Sequence, residues 1–218
     1  MVDLYEAMST LRAVRRLKPD AVPAEVLGRV LQAAAWAPTG GNVQPFRIVA
    51  VKQPALKQGL GDLYHAEWHE YSKGHIAAMP GMRDAAREQM AKMLKAGDYL
   101  ASHMAETPVI LVFCFNPDYM AITDSGLGRP SIVGGGSVYT AVQNVMLACR
   151  AEGLGCVLTT LLCHKEQAVK ALLDIPADWY TCAHVPIGYP VLKGHGPISR
   201  RPLDKLVYSD QWAQPFTE

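Results

Sequence analysis

The sequence lacks any apolar run long enough to cross a bilayer as a helix; Pro, Gly or a charged residue interrupts each candidate. It lacks a surplus of either charge. Lys and Arg total 21 against 20 Asp and Glu, for a net charge of +1 and a pI near 7.7. That balance gives no long-range attraction to nucleic acid or to an anionic membrane, so any basic site must be local. A secretory leader is not in view either. The opening "MVDLYEAMSTLRAVRR" is amphipathic and carries Asp3 and Glu6, without the continuous apolar core of a signal peptide, and acids are disfavoured in a mitochondrial presequence. Cytoplasmic residence is the expectation. The five cysteines are an odd number with no C-x-x-C pair, which reads as free thiols in a reducing compartment.

Signatures of several catalytic classes are missing as well. There is no G-x-S-x-G elbow and no G-K-[ST] phosphate loop. "GLGRPS" starts like a dinucleotide loop, but Ser131 stands where the third glycine is needed, and a loop precedes it instead of a strand. "GGGS", Gly134 to Ser137, reads as a flexible entry to a helix. "HAEWHE" sets His65 and His69 one helical turn apart, yet Glu67 falls on the opposite side, so exposed helix surface or part of a substrate lid is the better reading. Cys163 beside His164 is not a nucleophile pair by adjacency alone, because sequence neighbours rarely face each other productively.

What is present is a globular composition. Half of the 218 residues are hydrophobic, enough for a sizeable core, with no internal repeat and no visible domain boundary. Leu4, Ala7, Met8 and Leu11 predict a first helix that closes on "RAVRRLKP", with Pro19 as the breaker. A second helix starts near Pro23, with Val26, Leu27, Val30, Leu31 and Ala34 as its stripe, and stops before Pro38. "FRIVAV" reads as a buried strand. Residues 53–106 are mostly helical, with "YSKGHIAAMPGMRD" as a surface excursion. "VILVFCF" is a second strand and "NPDYMAITDSGLGRPSIVGGG" a loop. Ser137 is placed to cap the next helix, which ends at Gly153 or Gly155. "CVLTTL" and "TCAHVPIGYP" are further strands around the short helix "HKEQAVKALLDIP", and a Pro-, Gly- and aromatic-rich tail runs from Val191 to Glu218. The order predicts an α+β or α/β layered domain over 1–218, with one sheet covered by helices.

Three constellations stand out. Arg12, Arg15 and Arg16 lie three or four apart, so on a helix they would share a face. The planar guanidinium suits phosphate, although a solvated basic face at a helix C-terminus accounts for the same residues. Arg200 and Arg201 form a second pair on the tail. The join "TGGNVQP" combines two glycines, which permit close backbone approach, with Thr39, Asn42 and Gln44, which offer donors and acceptors to a heteroaromatic edge; an ordinary helix-to-strand turn is the alternative. Thr159 and Thr160 end a strand, the position where layered domains hold ligands, and threonine is also simply a good strand former.

Taken in order, these segments resemble the FMN-dependent nitroreductase family from end to end. "LRAVRRLKPDAVPAEVLGRVLQAAAWAPTGGNVQPFRIVAV" is similar to that family's opening, where an R-R-S-x-R helix end precedes A-P-S-x-x-N-x-Q-P-W. "SVYTAVQNVMLACRAEGLGCVLTTL" is similar to its central helix and strand, and "IGYP" with "SRRPLDKLV" to its closing segment. The resemblance implies a central mixed sheet in an interwoven homodimer, with residues 191–218 extending over the partner subunit. It implies tightly held FMN, with NAD(P)H as co-substrate and a small-molecule electron acceptor. Arg12, Ala13, Arg15 and Arg16 with Arg200 or Arg201 would surround the phosphate. Thr39, Gly40, Asn42 and Gln44 would hold the ring and ribityl chain, in part for the partner's flavin. Thr159, Thr160 and Leu161 would border N5. Leu11 and Ala13 depart from the family's arginine and serine there. The implied chemistry is ping-pong hydride transfer from NAD(P)H to nitroaromatic, quinone or enone acceptors, with no side chain needed as general base. Flavin cleavage, dehalogenation, or flavin binding without turnover are the alternatives. The segments Tyr64 to Met82 and Tyr119 to Gly136 would decide among the catalytic ones.

Overall fold

The computed structural model describes residues 2–216. Helix α1 spans Leu4–Thr10 and α2 Ala24–Ala35; strand β1 spans Phe46–Val51. Two long helices follow, α3 at Pro54–Ala78 and α4 at Asp84–His103, and then β2 at Val109–Phe115. The second half holds α5 at Gly136–Ala151, β3 at Gly155–Cys156, α6 at Glu166–Leu173 and β4 at Tyr180–Gly188.

The sheet order is β1-β2-β4-β3, and the pairings are antiparallel. The layered α+β class is as expected, but the sheet formed by the described residues is antiparallel instead of mixed. The α3–α4 hairpin returns the chain to the edge it left, so β2 comes back antiparallel to β1. Leu111 and Phe113 of β2 and Val185 of β4 pack with Leu27, Val30 and Val145 of α2 and α5 on one face. Ile110, Val112 and Cys114 face Leu60, Tyr64 and Leu100 of α3 and α4 on the other. Because both faces are covered, β2 reads as one uninterrupted apolar run despite being antiparallel. β1 is one edge of the sheet, and of its residues only Val51 is buried.

Several local expectations are corrected. α1 stops at Thr10, and Leu11 is already extended at φ −66°, ψ 118°. Residues 12–18 run beside the sheet: Val14 N–H donates to the Cys156 carbonyl at 2.9 Å, and Lys18 N–H donates to that of Tyr189 at 2.7 Å. Val14 and Leu17 are the buried anchors of this segment. Arg12, Arg15 and Arg16 therefore share no helix face. Ser137 lies inside α5 and does not cap it; its hydroxyl accepts from the Gly40 N–H at 3.0 Å. The strand expected at "CVLTTL" shrinks to β3 plus a bridge between Thr159 and His184, because a 3-10 turn begins at Leu161. The stretch 71–78 is helix and not an excursion, since Leu60, Tyr64, Trp68 and Ser72 bury one continuous stripe of α3. No helix among the described residues is long and apolar enough to cross a membrane.

Candidate functional site

The two arginine-bearing ends of the chain converge. Arg12 and Arg15 from the extended segment, and Arg200 from the tail, line one pocket of about 270 Å³, with Ala13 and Leu11 beside them and Leu158 after β3. No acidic side chain lines it. Arg12 Nε donates to the Gly194 carbonyl at 2.7 Å, which fixes the guanidinium's direction. Arg200 Nη1 donates to its neighbour's carbonyl at Ser199, 2.8 Å away. Arg201 is exposed and outside this lining. Arg16 turns away: its guanidinium lies 4.6 Å over the Tyr99 ring, which itself stacks on His103 at 4.0 Å. Leu11 packs partly into the core beside α2 and α5.

The strand-end residues sit next to this pocket. Thr159 exchanges both backbone hydrogen bonds with His184 of β4, at 3.0 and 2.9 Å. Its hydroxyl accepts from the Leu161 N–H at 3.4 Å, while Thr160 is exposed. Behind them, Tyr64 of α3 is buried, and burial raises its phenol pKa, opposed by a bond to Thr159 and by the charge of Arg15. His184 is fully buried, and neither ring nitrogen has a partner; burial pushes its pKa down to about 4.

The join from Thr39 to Gln44 forms a separate cluster at the start of α5. Gly41, Asn42 and Gln44 all adopt positive φ, at 57°, 56° and 48°. For asparagine and glutamine that conformation is unusual, and strain of this kind concentrates where a ligand or partner is met. The loop holds itself through the Thr39 hydroxyl, which accepts from the Gln44 N–H at 3.1 Å, and through the Gln44 amide, which donates to Asn42 Oδ1 at 3.2 Å. Thr140 Oγ1 donates to the Pro38 carbonyl at 3.2 Å. Beside the loop lies an open cleft of about 830 Å³ between Pro38, Ile132, Tyr139 and Gln143. Gln143 lines both this cleft and the arginine pocket. In the sequence it is one polar residue on a helix, with no signal to single it out.

One wall of the cleft is fixed by Asp124. Its buried carboxylate accepts from Ser131 Oγ at 2.6 Å, Arg129 Nη1 at 2.8 Å and Ile132 N–H at 2.9 Å. The Ser131 bond, then the Ile132 bond, holds the carboxyl down at about 2. Sequence reading saw only a loop here. His65 and His69 are exposed, and Glu67 points instead to Lys165 at 3.2 Å and His164 at 3.4 Å, tying α3 to the turn before α6. Cys163 donates its thiol to the Thr181 carbonyl at 3.6 Å, so it and His164 engage different partners.

Three guanidinium groups around an acid-free pocket suit a phosphate dianion. A strained, amide-rich loop and the adjoining apolar cleft, which shares Gln143 with the arginine pocket, suit a planar ring system. The model of the nitroreductase family matches residues 10–189. An NADH dehydrogenase of Thermus thermophilus is 27% identical over 207 residues, 95% of this chain and 96% of that protein. A 5,6-dimethylbenzimidazole synthase of Rhodospirillum rubrum is 31% identical over 182 residues, 82% and 78% of the two chains. The solved structure of an oxidized iodotyrosine deiodinase, bound to FMN and 3-iodo-L-tyrosine, superposes with a TM-score of 0.68 at 23% identity, covering 96% of this chain and 99% of that one.

Proposed function

This chain belongs to the nitroreductase family of flavin oxidoreductases, and on that premise we propose that it binds FMN and carries hydride from NAD(P)H to a nitroaromatic, quinone or enone-type acceptor. The observation that carries the reading is the meeting of Arg12, Arg15 and Arg200 in one pocket free of carboxylates, although they come from opposite ends of a nearly neutral chain. They would bind the FMN phosphate, with Ala13 leaving room at the backbone. FMN held there would supply the redox chemistry, hydride transfer between the two substrates. Thr159, Thr160 and Leu161 would border its N5, where a backbone N–H would hydrogen-bond the ring; the Leu161 N–H would have to exchange its long 3.4 Å bond to the Thr159 hydroxyl to do so. Thr39, Gly40, Asn42 and Gln44 would hold the ring and ribityl chain, in part for the flavin of the second subunit of a homodimer. The large exposed side chains Tyr5, Trp36, Tyr139 and Trp212 suit such a dimer, with the tail from Val191 over the partner. The five unpaired thiols suit a reducing cytoplasm.

The similarity to the synthase and the superposition on the deiodinase favour a second reading, in which the same flavin site serves flavin cleavage or dehalogenation. The two readings part at the walls of the cleft, above all at Ser131 and Ile132. Steady-state NAD(P)H consumption with a nitroaromatic or a quinone tests the first reading, with parallel double-reciprocal lines expected. Flavin that stays bound while no acceptor draws electrons through it would leave a binding protein without turnover.

A further inference from the structure

His195 is buried on the tail, and nothing in the proposed chemistry uses it. Its Nε2 lies 2.7 Å from the Leu154 carbonyl. A carbonyl only accepts, so the ring proton is on Nε2 and Nδ1 is left as a bare acceptor. That Nδ1 is buried and has no partner. An apolar side chain would fill the space without an orphaned nitrogen, so packing alone gives no reason for histidine.

The reason lies in what brackets it. One residue earlier, the Gly194 carbonyl accepts from Arg12 Nε at 2.7 Å. One residue later, the Gly196 N–H donates to the Thr10 carbonyl at 3.0 Å. Gly194 sits at φ +71°, and a Cβ there would meet Pro190 at 2.7 Å, so the turn is sharp and needs glycine. The Arg12 guanidinium lies against Gly196, where an added Cβ would stand 3.7 Å from its central carbon. Four residues beyond Gly196, Arg200 enters the same pocket as Arg12. Leu154 is itself fully buried between α5 and β3. The bond from His195 thus lies between the carbonyl that holds Arg12 and the stretch that carries Arg200 into the pocket. The ring also stays neutral: burial first, then Arg150 and Arg12, lower its pKa against the opposing effect of the Leu154 bond. It adds no cation to a pocket that already holds three.

We propose that His195 is the positioning residue of the phosphate clamp: its hydrogen bond to Leu154 holds the Gly194 carbonyl against Arg12 and aims Arg200 into the same pocket. This rests on the FMN reading above.

The test compares His195→Gln with His195→Met, side chains of similar length of which only the first can donate to Leu154. Wild type and both variants, stripped of flavin, are titrated with FMN and with riboflavin, which lacks the phosphate, by flavin fluorescence. Wild type should prefer FMN. His195→Met should lose about tenfold in FMN affinity while riboflavin affinity stays within about twofold, and His195→Gln should recover most of the loss. An equal loss for both flavins, or equal behaviour of the two variants, would overturn the proposal and leave His195 as packing. A wild type that binds riboflavin as well as FMN would remove the clamp itself, and this inference with it. Should His195→Met not fold, His195→Leu replaces it as the variant without a donor.

Discussion

Arg12 Nε donates to the carbonyl oxygen of Gly194 at 2.7 Å, a hydrogen bond between residues 182 apart in the chain. It closes the N-terminal segment onto the start of the tail, and the pocket that results holds three arginines and no acid. The functional reading depends on this closure more than on any single strand or helix.

Arg12→Ala should therefore lower FMN affinity by about 10- to 100-fold, the range for hydrogen bonds to a charged group. Arg200→Ala should weaken binding more than Arg201→Ala, because only Arg200 lines the pocket. His65→Ala, on the exposed face of α3, should change nothing. Equilibrium titration of the apoprotein checks all four variants. An Arg201→Ala loss larger than the Arg200→Ala loss would show that the tail sits in a different register.

Gly97 on α4 lies against the Trp68 ring of α3, and a Cβ at Gly97 would overlap it. The ring cannot easily yield, since Trp68 Nε1 donates to Asp98 Oδ1 at 2.7 Å. Gly97→Ala should cost about 1–3 kcal/mol through overpacking and lower Tm by roughly 5 °C. An unchanged melting curve would mean that the α3–α4 contact is looser than described.

Asp124 predicts an acid-sensitive loop. Its folded pKa, about 2, lies below the ordinary carboxyl value of 3.8. The stabilisation from its bonds is then full above pH ~4 and is lost as pH falls through about 2. Asp124→Asn lacks the charge at every pH. The difference in Tm between wild type and variant should be largest above pH ~4 and should vanish only as pH falls below about 2. A constant difference would assign the loop's order to something other than the carboxylate. Because Ser131 and Ile132 line the cleft, the variant should also raise KM for the acceptor more than it lowers kcat.

His184 carries the opposite chemistry with the same direction of pH effect. The folded ring titrates near 4, against 6.5 for an ordinary histidine, so the unfolded chain binds the proton first. Stability should fall as pH drops from about 6.5 to about 4 and then level off with respect to this group. His184→Leu should flatten that interval and, by removing two unpartnered nitrogens, leave stability at pH 7 at least as high. Melting curves at several pH values decide it; a variant that melts lower at pH 7 would show that the ring has a partner, such as a buried water.

The layered core was legible in the sequence because it depends on local pattern. The run Val109 to Phe115 and the stripe of Leu27, Val30 and Ala34 announce themselves by spacing. The segment after Thr10 misled for the same reason. The stripe Leu4, Ala7, Met8 and Leu11 suggests a helix that runs on through the arginines to Pro19, while Val14 and Leu17 actually anchor an extended strip beside β3 and β4. That Arg12 and Arg15 meet an arginine of the tail was implied by the family resemblance alone; residue spacing could not show it, nor separate Arg200 from Arg201 or exclude Arg16, because these residues meet only through tertiary contacts across most of the chain. The bonds of His195 and Asp124 were hidden likewise. The first depends on a carbonyl 41 residues away, and the second on backbone N–H groups in a loop without periodicity.

The most direct test is the absorption spectrum of the freshly purified protein, followed by NADH or NADPH added without oxygen. The account predicts a yellow protein, or one that turns yellow with stoichiometric FMN, whose visible band bleaches on addition of the nucleotide. A protein that stays colourless with excess FMN would contradict it and leave the fold without the flavin site.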